Sequence, residues 1–251
     1  MTSVRSRADG RSADALRPIR FETGVQRNPE GSVVISAGGT KVLIAASVQE
    51  GVKDFLRGSG RGWVTAEYAM HPRANPERQS REKNGQASGR SQEIQRLVGR
   101  ALRAAVRLER LGERTIHIDC DVLDADGGTR TAAINGALVA LHDAFVVLSN
   151  RGHLTGPPLK DAVAAISVGM VQGVPRLDLA YVEDSAAQVD MNVVMTGAGR
   201  YVEVQGTGES VAFSEAELKA LLKLARSGIK KVLGHQRRLL GDSGLLPTPA
   251  A

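Results

Sequence analysis

Between residues 20 and 48, apolar and polar residues alternate in short runs broken by turn signals. Phe21–Val25, Gly31–Ala37 and Lys41–Val48 read as three strands. Asn28-Pro29-Glu30-Gly31 and then Gly38-Gly39 turn the chain between them, which predicts an antiparallel meander. Trp63–Tyr68 is a further strand, entered from the glycine-rich Gly58–Gly62. The period then changes. Ile94, Val98, Ala101, Ala105 and Leu108 recur at helical spacing and predict a helix over Arg90–Arg110. Arg96, Arg100, Arg103 and Arg107 fall on another face of it and read mainly as a solvated stripe. Thr115–Val122 is a strand, followed by an apolar helix to about Ser149. Strands are expected over Ala162–Val171, Arg176–Val182, Ala187–Thr196 and Arg200–Gln205. A long helix, Ser214–Leu240, opens on a capping box in which Ser214 and Glu217 satisfy each other's backbone N–H groups.

This order predicts an α+β, two-layer molecule made of two α/β halves, each a small sheet with helices packed on one side. The chain reads as a single domain over 1–251, with an ordered core from about 11 to 240 and a frayed tail over 241–251.

Composition narrows the function. At 251 residues and 42% hydrophobic content the chain can bury a large core, while 3% aromatic residues leave few platforms for stacking bases. One cysteine, Cys120, excludes a disulfide framework, and its strand setting predicts a buried, inert thiol. No Cys/His cluster has zinc spacing and there is no HExxH. No apolar run is expected to span a bilayer and no signal peptide is expected, so the location expected is cytoplasmic, with no membrane partner. The net charge is +6, and it is concentrated: Arg57–Arg114 holds thirteen Lys/Arg against six Asp/Glu, leaving the remainder near −1. Such a patch is suited to a polyanion. The nineteen-residue segment His71–Gly89, without periodicity, carries Arg73, Arg78, Arg81 and Lys83 and reads as a functional loop.

Two stretches carry chemistry. Asp126-Gly127-Gly128-Thr129-Arg130-Thr131 lies between a strand and a helix. Its glycines let backbone N–H groups approach an anion, the helix start adds unpaired donors, and Arg130 adds a planar cationic fork. The alternation of Arg176–Asp184, read as a strand, places Asp178 and Asp184 on one face and Glu183 on the other. A turn then brings Asp184 beside Asp190. Two adjacent carboxylates hold a cation such as Mg²⁺ or Mn²⁺, share a proton, or are simply solvated. An arginine anion loop, a basic surface and a carboxylate pair together describe phosphoryl transfer on a nucleic acid. No Walker A sequence is present.

An ordered series of segments resembles the ribonuclease PH family of bacterial phosphorolytic exoribonucleases. They are Gly10-Arg11, Arg17–Arg20, Gly62–Tyr68, Gly89–Leu97, Ile118–Leu123, Asp126–Ala132, Asp184–Thr196 and Val202–Thr207. The resemblance implies two related βαβα-type halves, like the second domain of ribosomal protein S5, and a homohexamer built as a trimer of dimers. It implies that inorganic phosphate attacks the terminal phosphodiester of a tRNA precursor and releases nucleoside 5′-diphosphates, reversibly. By position, Arg90 and Gly128-Thr129-Arg130 match phosphate-binding residues, and Asp184 and Asp190 match the carboxylates for metal and acid catalysis. Arg130 also joins that catalytic set. Arg73, Arg78 and Arg81 match a tRNA-contacting segment, and Asp178 matches an acidic position of uncertain role. A silent RNA-binding ring subunit and a metal-dependent hydrolytic ribonuclease are the alternatives. The first predicts loss of Asp184, Asp190 or Arg130, all of which are present, and the second has no need of a phosphate pocket.

Overall fold

The structure is a computed structural model that describes residues 7–81, 87–209, 211–241 and 244–245. Lys83 and most of the tail lie outside the described residues; within the tail, Leu245 is buried against the core.

The predicted meander forms as β1 (Ile19–Thr23), β2 (Gly31–Ala37) and β3 (Thr40–Glu50). It continues into a five-stranded sheet with β4 (Trp63–Met70) and β5 (Arg114–Asp124), in the order β1-β2-β3-β5-β4. All neighbours are antiparallel except β4 and β5, which are parallel and joined through α1 (Gly89–Ala105). The period-2 pattern sorts the faces: Val33, Ile35, Val42, Ile44, Ile116, Ile118 and Val122 point inward and are fully buried, whereas His117, Asp119 and Asp121 point outward. Cys120 lies on the inner side, where burial pushes its thiol pKa far up, so it is inert.

The second sheet is antiparallel, in the order β7-β6-β8-β9, from β6 (Val163–Val171), β7 (Val174–Leu177), β8 (Val189–Thr196) and β9 (Tyr201–Gly208). The longest helix, α4 (Glu215–Leu240), packs on it and opens with the predicted Ser214–Glu217 box. Between the sheets runs α2 (Thr129–Asn150), which contacts β2, β3 and β6. This helix is long and apolar enough to cross a membrane, contrary to expectation, but 83% of its most apolar window is buried inside the protein. Asn135 of α2 gives its Nδ2 to the Ala165 carbonyl (2.9 Å) and accepts the Ala165 N–H (2.8 Å), extending β6 where β7 does not pair. With α2 and α4 both packed against it, β6 is buried at all nine positions, and the main hydrophobic core spans both sheets.

Three expectations need correction. The helix predicted to Arg110 ends at Ala105, because Val106 turns extended and bridges to Leu159. The arginine stripe of α1 is not merely solvated. Arg103 lies over the Trp63 ring at 4.4 Å and donates to the Val64 carbonyl (2.8 Å), and Arg100 forms a fork with Glu203 of β9. The strand expected over Arg176–Val182 stops at Leu177. Asp178 takes a left-handed φ of 54°, and Tyr181–Asp184 forms a helical turn, α3.

Candidate active site

Two helix starts and two strands converge on one polar cavity of about 330 Å³, lined by Arg90, Arg130, Asp184, Asp190 and several neighbours. Arg90 sits in the first turn of α1, whose Ser88 cap accepts the Ser91 N–H. Arg130 sits in the first turn of α2, where Gly128 is the cap residue at φ 65° with no side-chain cap. A helix start without a side-chain cap keeps its positive end open to an anion.

The two arginines are held differently. Arg90 is exposed toward the cavity. Arg130 donates to Gln205 Oε1 (2.6 Å), Gln205 donates in turn to Glu93 Oε1 (2.5 Å), and Glu93 lies 3.6 Å from Arg130. Thr129 and Gly128 do not line the cavity wall. Thr129 is buried, its Oγ1 accepting the Tyr68 hydroxyl at 2.8 Å, and Gly128 serves backbone geometry.

Across the cavity stand the carboxylates. Asp184 ends the α3 turn, and Asp190 projects from the start of β8, where it pairs in register with Thr207 of β9. Sequence periodicity placed Asp178 on the same face as Asp184. The helical turn instead separates them: Asp184 reaches the cavity, while Asp178 and Glu183 are buried behind it among arginines. Burial, then the charge of Asp184, pushes the Asp190 pKa up to about 6, against the pull of Arg130 and Arg90. Asp184 is also raised, by burial first, with Arg130, Arg90 and a hydrogen bond from Asp190 opposing. The paired carboxyls therefore keep a proton to higher pH than isolated aspartates do.

Asp190 Oδ1 is buried without a hydrogen-bond partner. A buried, unpaired carboxylate oxygen is costly unless something else binds it. Among the described residues no three His, Cys, Asp or Glu groups cluster to cage a metal. The oxygen-only pair Asp184/Asp190 fits a hard cation that takes its remaining ligands from water and phosphate.

Sequence reasoning missed Asn192, Gln205, Thr207 and Glu209 of this lining. They were legible: Asp190 and Asn192 alternate on β8, Gln205, Thr207 and Glu209 alternate along and just beyond β9, and Asn192 pairs directly with Gln205. Arg73, Arg78 and Arg81 are exposed on the loop that follows β4 and do not line the cavity. His71 and Arg81 lie near enough to Asp121 to oppose its burial-driven rise in pKa.

Comparison with known proteins gives the same division of the chain. The models of the 3′ exoribonuclease family match as domain 1 over residues 15–146 and as domain 2 over 161–228. The ribonuclease PH of Bacillus subtilis (strain 168) is 57% identical over 240 residues, spanning 94% of this chain and 98% of that one. Among solved structures, rice (Oryza sativa) Rrp46 superposes with a TM-score of 0.76 at 21% identity, covering 94% of this chain and all of that one. A chain of the Archaeoglobus fulgidus exosome with RNA bound to the active site superposes at 0.75 and 23% identity, covering 92% of each. These two likenesses establish the shared fold.

Proposed function

The chain belongs to the 3′ exoribonuclease family, and, like the ribonuclease PH it matches, it is a phosphate-dependent 3′→5′ exoribonuclease that processes tRNA ends; we propose that the cavity between Arg90, Arg130, Asp184 and Asp190 is where that reaction runs. The observation that carries this reading is that two arginines from separate helix starts face a carboxylate pair with raised pKa values across one small polar space.

Phosphate attacking a phosphodiester brings anion to anion. Arg90, Arg130 and the open start of α2 offset that repulsion and aim the attacking oxygen, so their contribution is positioning and electrostatics. Gly128 and Thr129 serve the same phosphate by shaping the helix start that carries Arg130, rather than by lining the cavity. As the new P–O bond forms, the bond from phosphorus to the preceding nucleotide's 3′-oxygen breaks. The departing oxygen takes the proton held by Asp184/Asp190, and the terminal nucleotide leaves as a 5′-diphosphate. Reversal adds a nucleotide from a diphosphate. Asp184 and Asp190 would also hold Mg²⁺ or Mn²⁺, which when bound supplies charge neutralisation at the scissile phosphate.

Arg73, Arg78 and Arg81 are read as gripping the tRNA body through its phosphates, supported by their exposure on a basic loop. Removing them should lower RNA affinity and flatten its salt dependence. The protomer is read as one unit of a homohexameric trimer of dimers in the cytoplasm, where precursor tRNA and phosphate are both at hand. Exposed Phe55, Tyr181 and Val182 offer apolar surface for such contacts. Light scattering should return six times the 26.6 kDa chain mass, and a monomer would overturn the ring.

The deciding assay uses 3′-extended tRNA and Mg²⁺, with and without phosphate. Nucleoside diphosphates appearing only with phosphate are expected. Monophosphates without phosphate would indicate hydrolysis instead, and no product at all would indicate a silent ring subunit.

A further inference from the structure

Behind the cavity lies a second arginine–carboxylate assembly, which the reaction does not use. Arg17, 5% exposed, precedes β1 and reaches across to both walls of the site. Its Nη1 donates to the Asp126 carbonyl and its Nη2 to the Gly127 carbonyl (3.3 Å), the two residues leading into Gly128-Thr129-Arg130. The same Nη2 donates to Asp178 Oδ1 (2.7 Å), and the Arg17 backbone N–H donates to Asp178 Oδ2 (2.7 Å). Both Asp178 oxygens are therefore engaged by one residue from 161 positions away. The left-handed φ of 54° at Asp178 aims its carboxylate there, a conformation that Asp tolerates better than most residues but that still costs energy.

Thr40 completes the grip on the loop. Its hydroxyl donates to the Gly127 carbonyl (2.6 Å) and accepts the Asp126 N–H (2.9 Å). The loop is thus held by the carbonyls that face away from the cavity, which leaves the α2 start pointing into it. The fit is close: a Cβ on Gly127 would lie 2.6 Å from the Leu179 carbonyl oxygen, and one on Gly128 would lie 2.9 Å from Arg17 Nη2. On the carboxylate side, Asp126 Oδ1 accepts the Tyr181 N–H (3.1 Å) at the start of α3, the turn that ends in Asp184. One short segment therefore couples the anion wall to the acid wall.

We propose that Arg17, with Asp178 and Thr40, is a positioning device for the known reaction: it sets the Asp126–Gly128 loop, and hence the phosphate-binding start of α2, at its working distance from Asp184/Asp190. This rests on the cavity being the phosphate site. Arg17 does not line that cavity, so it touches neither phosphate nor RNA. Losing it removes none of Arg90, Arg130, Asp184 and Asp190 but lets the loop, and with it the α2 start, shift, and small misplacements of reacting groups are expensive. The effect falls on phosphate binding rather than RNA binding, because the loop it holds leads directly into the phosphate-binding start of α2, whereas the exposed arginines read as gripping RNA lie on another loop.

Arg17 also lines a separate cavity of about 410 Å³ bordered by Pro18, Gly38 and Val182, which makes chemical rescue possible: truncating the side chain leaves a space that free guanidinium can enter. The experiment measures steady-state phosphorolysis of 3′-extended tRNA by Arg17→Ala, Thr40→Val, Asp178→Asn and Arg130→Ala, with KM for phosphate and for RNA determined separately. Arg17→Ala is expected to raise the phosphate KM about ten- to hundredfold with the RNA KM within a factor of about two. Millimolar guanidinium should restore the phosphate KM of Arg17→Ala but not that of Arg130→Ala. Thr40→Val, the mildest change, should move the phosphate KM in the same direction, and it carries the test if Arg17→Ala does not fold. An unchanged phosphate KM in Thr40→Val and in a folded Arg17 variant, or equal rises in both KM values, would overturn the proposal. If Arg130→Ala itself leaves the phosphate KM unchanged, the phosphate site has been misplaced and the clamp falls with it.

Discussion

Asp184 and Glu183 are neighbours in sequence and opposites in environment. Asp184 faces the cavity with Asp190, where burial raises both pKa values, and for Asp190 the neighbouring Asp184 charge as well, by more than Arg90 and Arg130 lower them. Glu183 points the other way. Burial would raise its pKa too, but hydrogen bonds from Arg7 (2.9 and 2.5 Å), Arg176 (2.8 Å) and the Ala180 N–H hold it below the usual carboxylate range. One residue step along a helical turn separates a carboxylate that is fully matched by protein from a pair that is not. The matched group ties the chain together; the mismatched pair leaves a buried carboxylate oxygen, Asp190 Oδ1, that no protein group satisfies. Arginine follows the same division. Arg7, Arg17 and Arg176 are buried on carboxylates and carbonyls, while Arg90 is exposed at the cavity.

The sharpest way to break this contrast is to neutralise each side in turn. Asp190→Asn should cost about three orders of magnitude in phosphorolysis, within the range for losing a positioned acid. The same variant, assayed in chelator by thermal melting, should be more stable than the parent at pH 8. A loss of stability there would mean that Asp190 is structurally matched after all. Glu183→Gln should do the reverse at the level of folding, costing about 3–5 kcal/mol in urea unfolding because Arg7 and Arg176 are left buried without their counter-charge. A change below about 1 kcal/mol would place Glu183 with the exposed ion pairs instead.

The two sides should also depend on pH in opposite senses. The folded pKa of Glu183 lies below its ordinary 4.5, so its stabilisation is complete above that value and is lost as pH falls through the folded pKa. The folded pKa of Asp190, about 6, lies above its ordinary 3.8. The native state therefore holds the proton more tightly, and stability falls as pH rises between those two values, by roughly 1–3 kcal/mol. Melting temperatures in metal-free buffer across pH 3–8 should show both slopes. Asp190→Asn should flatten the upper slope, leaving only the part due to Asp184, and Glu183→Gln should flatten the lower. The smallest expected effect is that of Tyr68→Phe, which deletes the 2.8 Å bond to Thr129 at the α2 start and should cost about 1 kcal/mol of stability. Phosphate KM should rise modestly if that bond helps to orient Arg130.

Much of the molecule is legible in its residues. The meander, the α1 and α2 apolar runs, the α4 capping box and the glycine pair before Thr129-Arg130 each follow from local periodicity or turn chemistry, and each forms. Arg130, Asp184 and Asp190 stand out from local spacing, and Arg90 from the family resemblance. The alternation on β8 and β9 would have added Asn192, Gln205 and Thr207 had it been followed. What local pattern cannot contain is a pairing across 161 or 176 positions, such as Arg17 with Asp178 or Arg7 with Glu183. Those partners end β7 early, turn Asp178 left-handed and rotate Glu183 away from Asp184, so a stretch that alternates like a strand becomes a helical turn. Which elements exist and which charges the chain carries are written locally, because they depend on neighbours a few residues apart. Which charges cancel and which stay free to act is set by the folded arrangement, because cancellation requires two distant groups to be buried together.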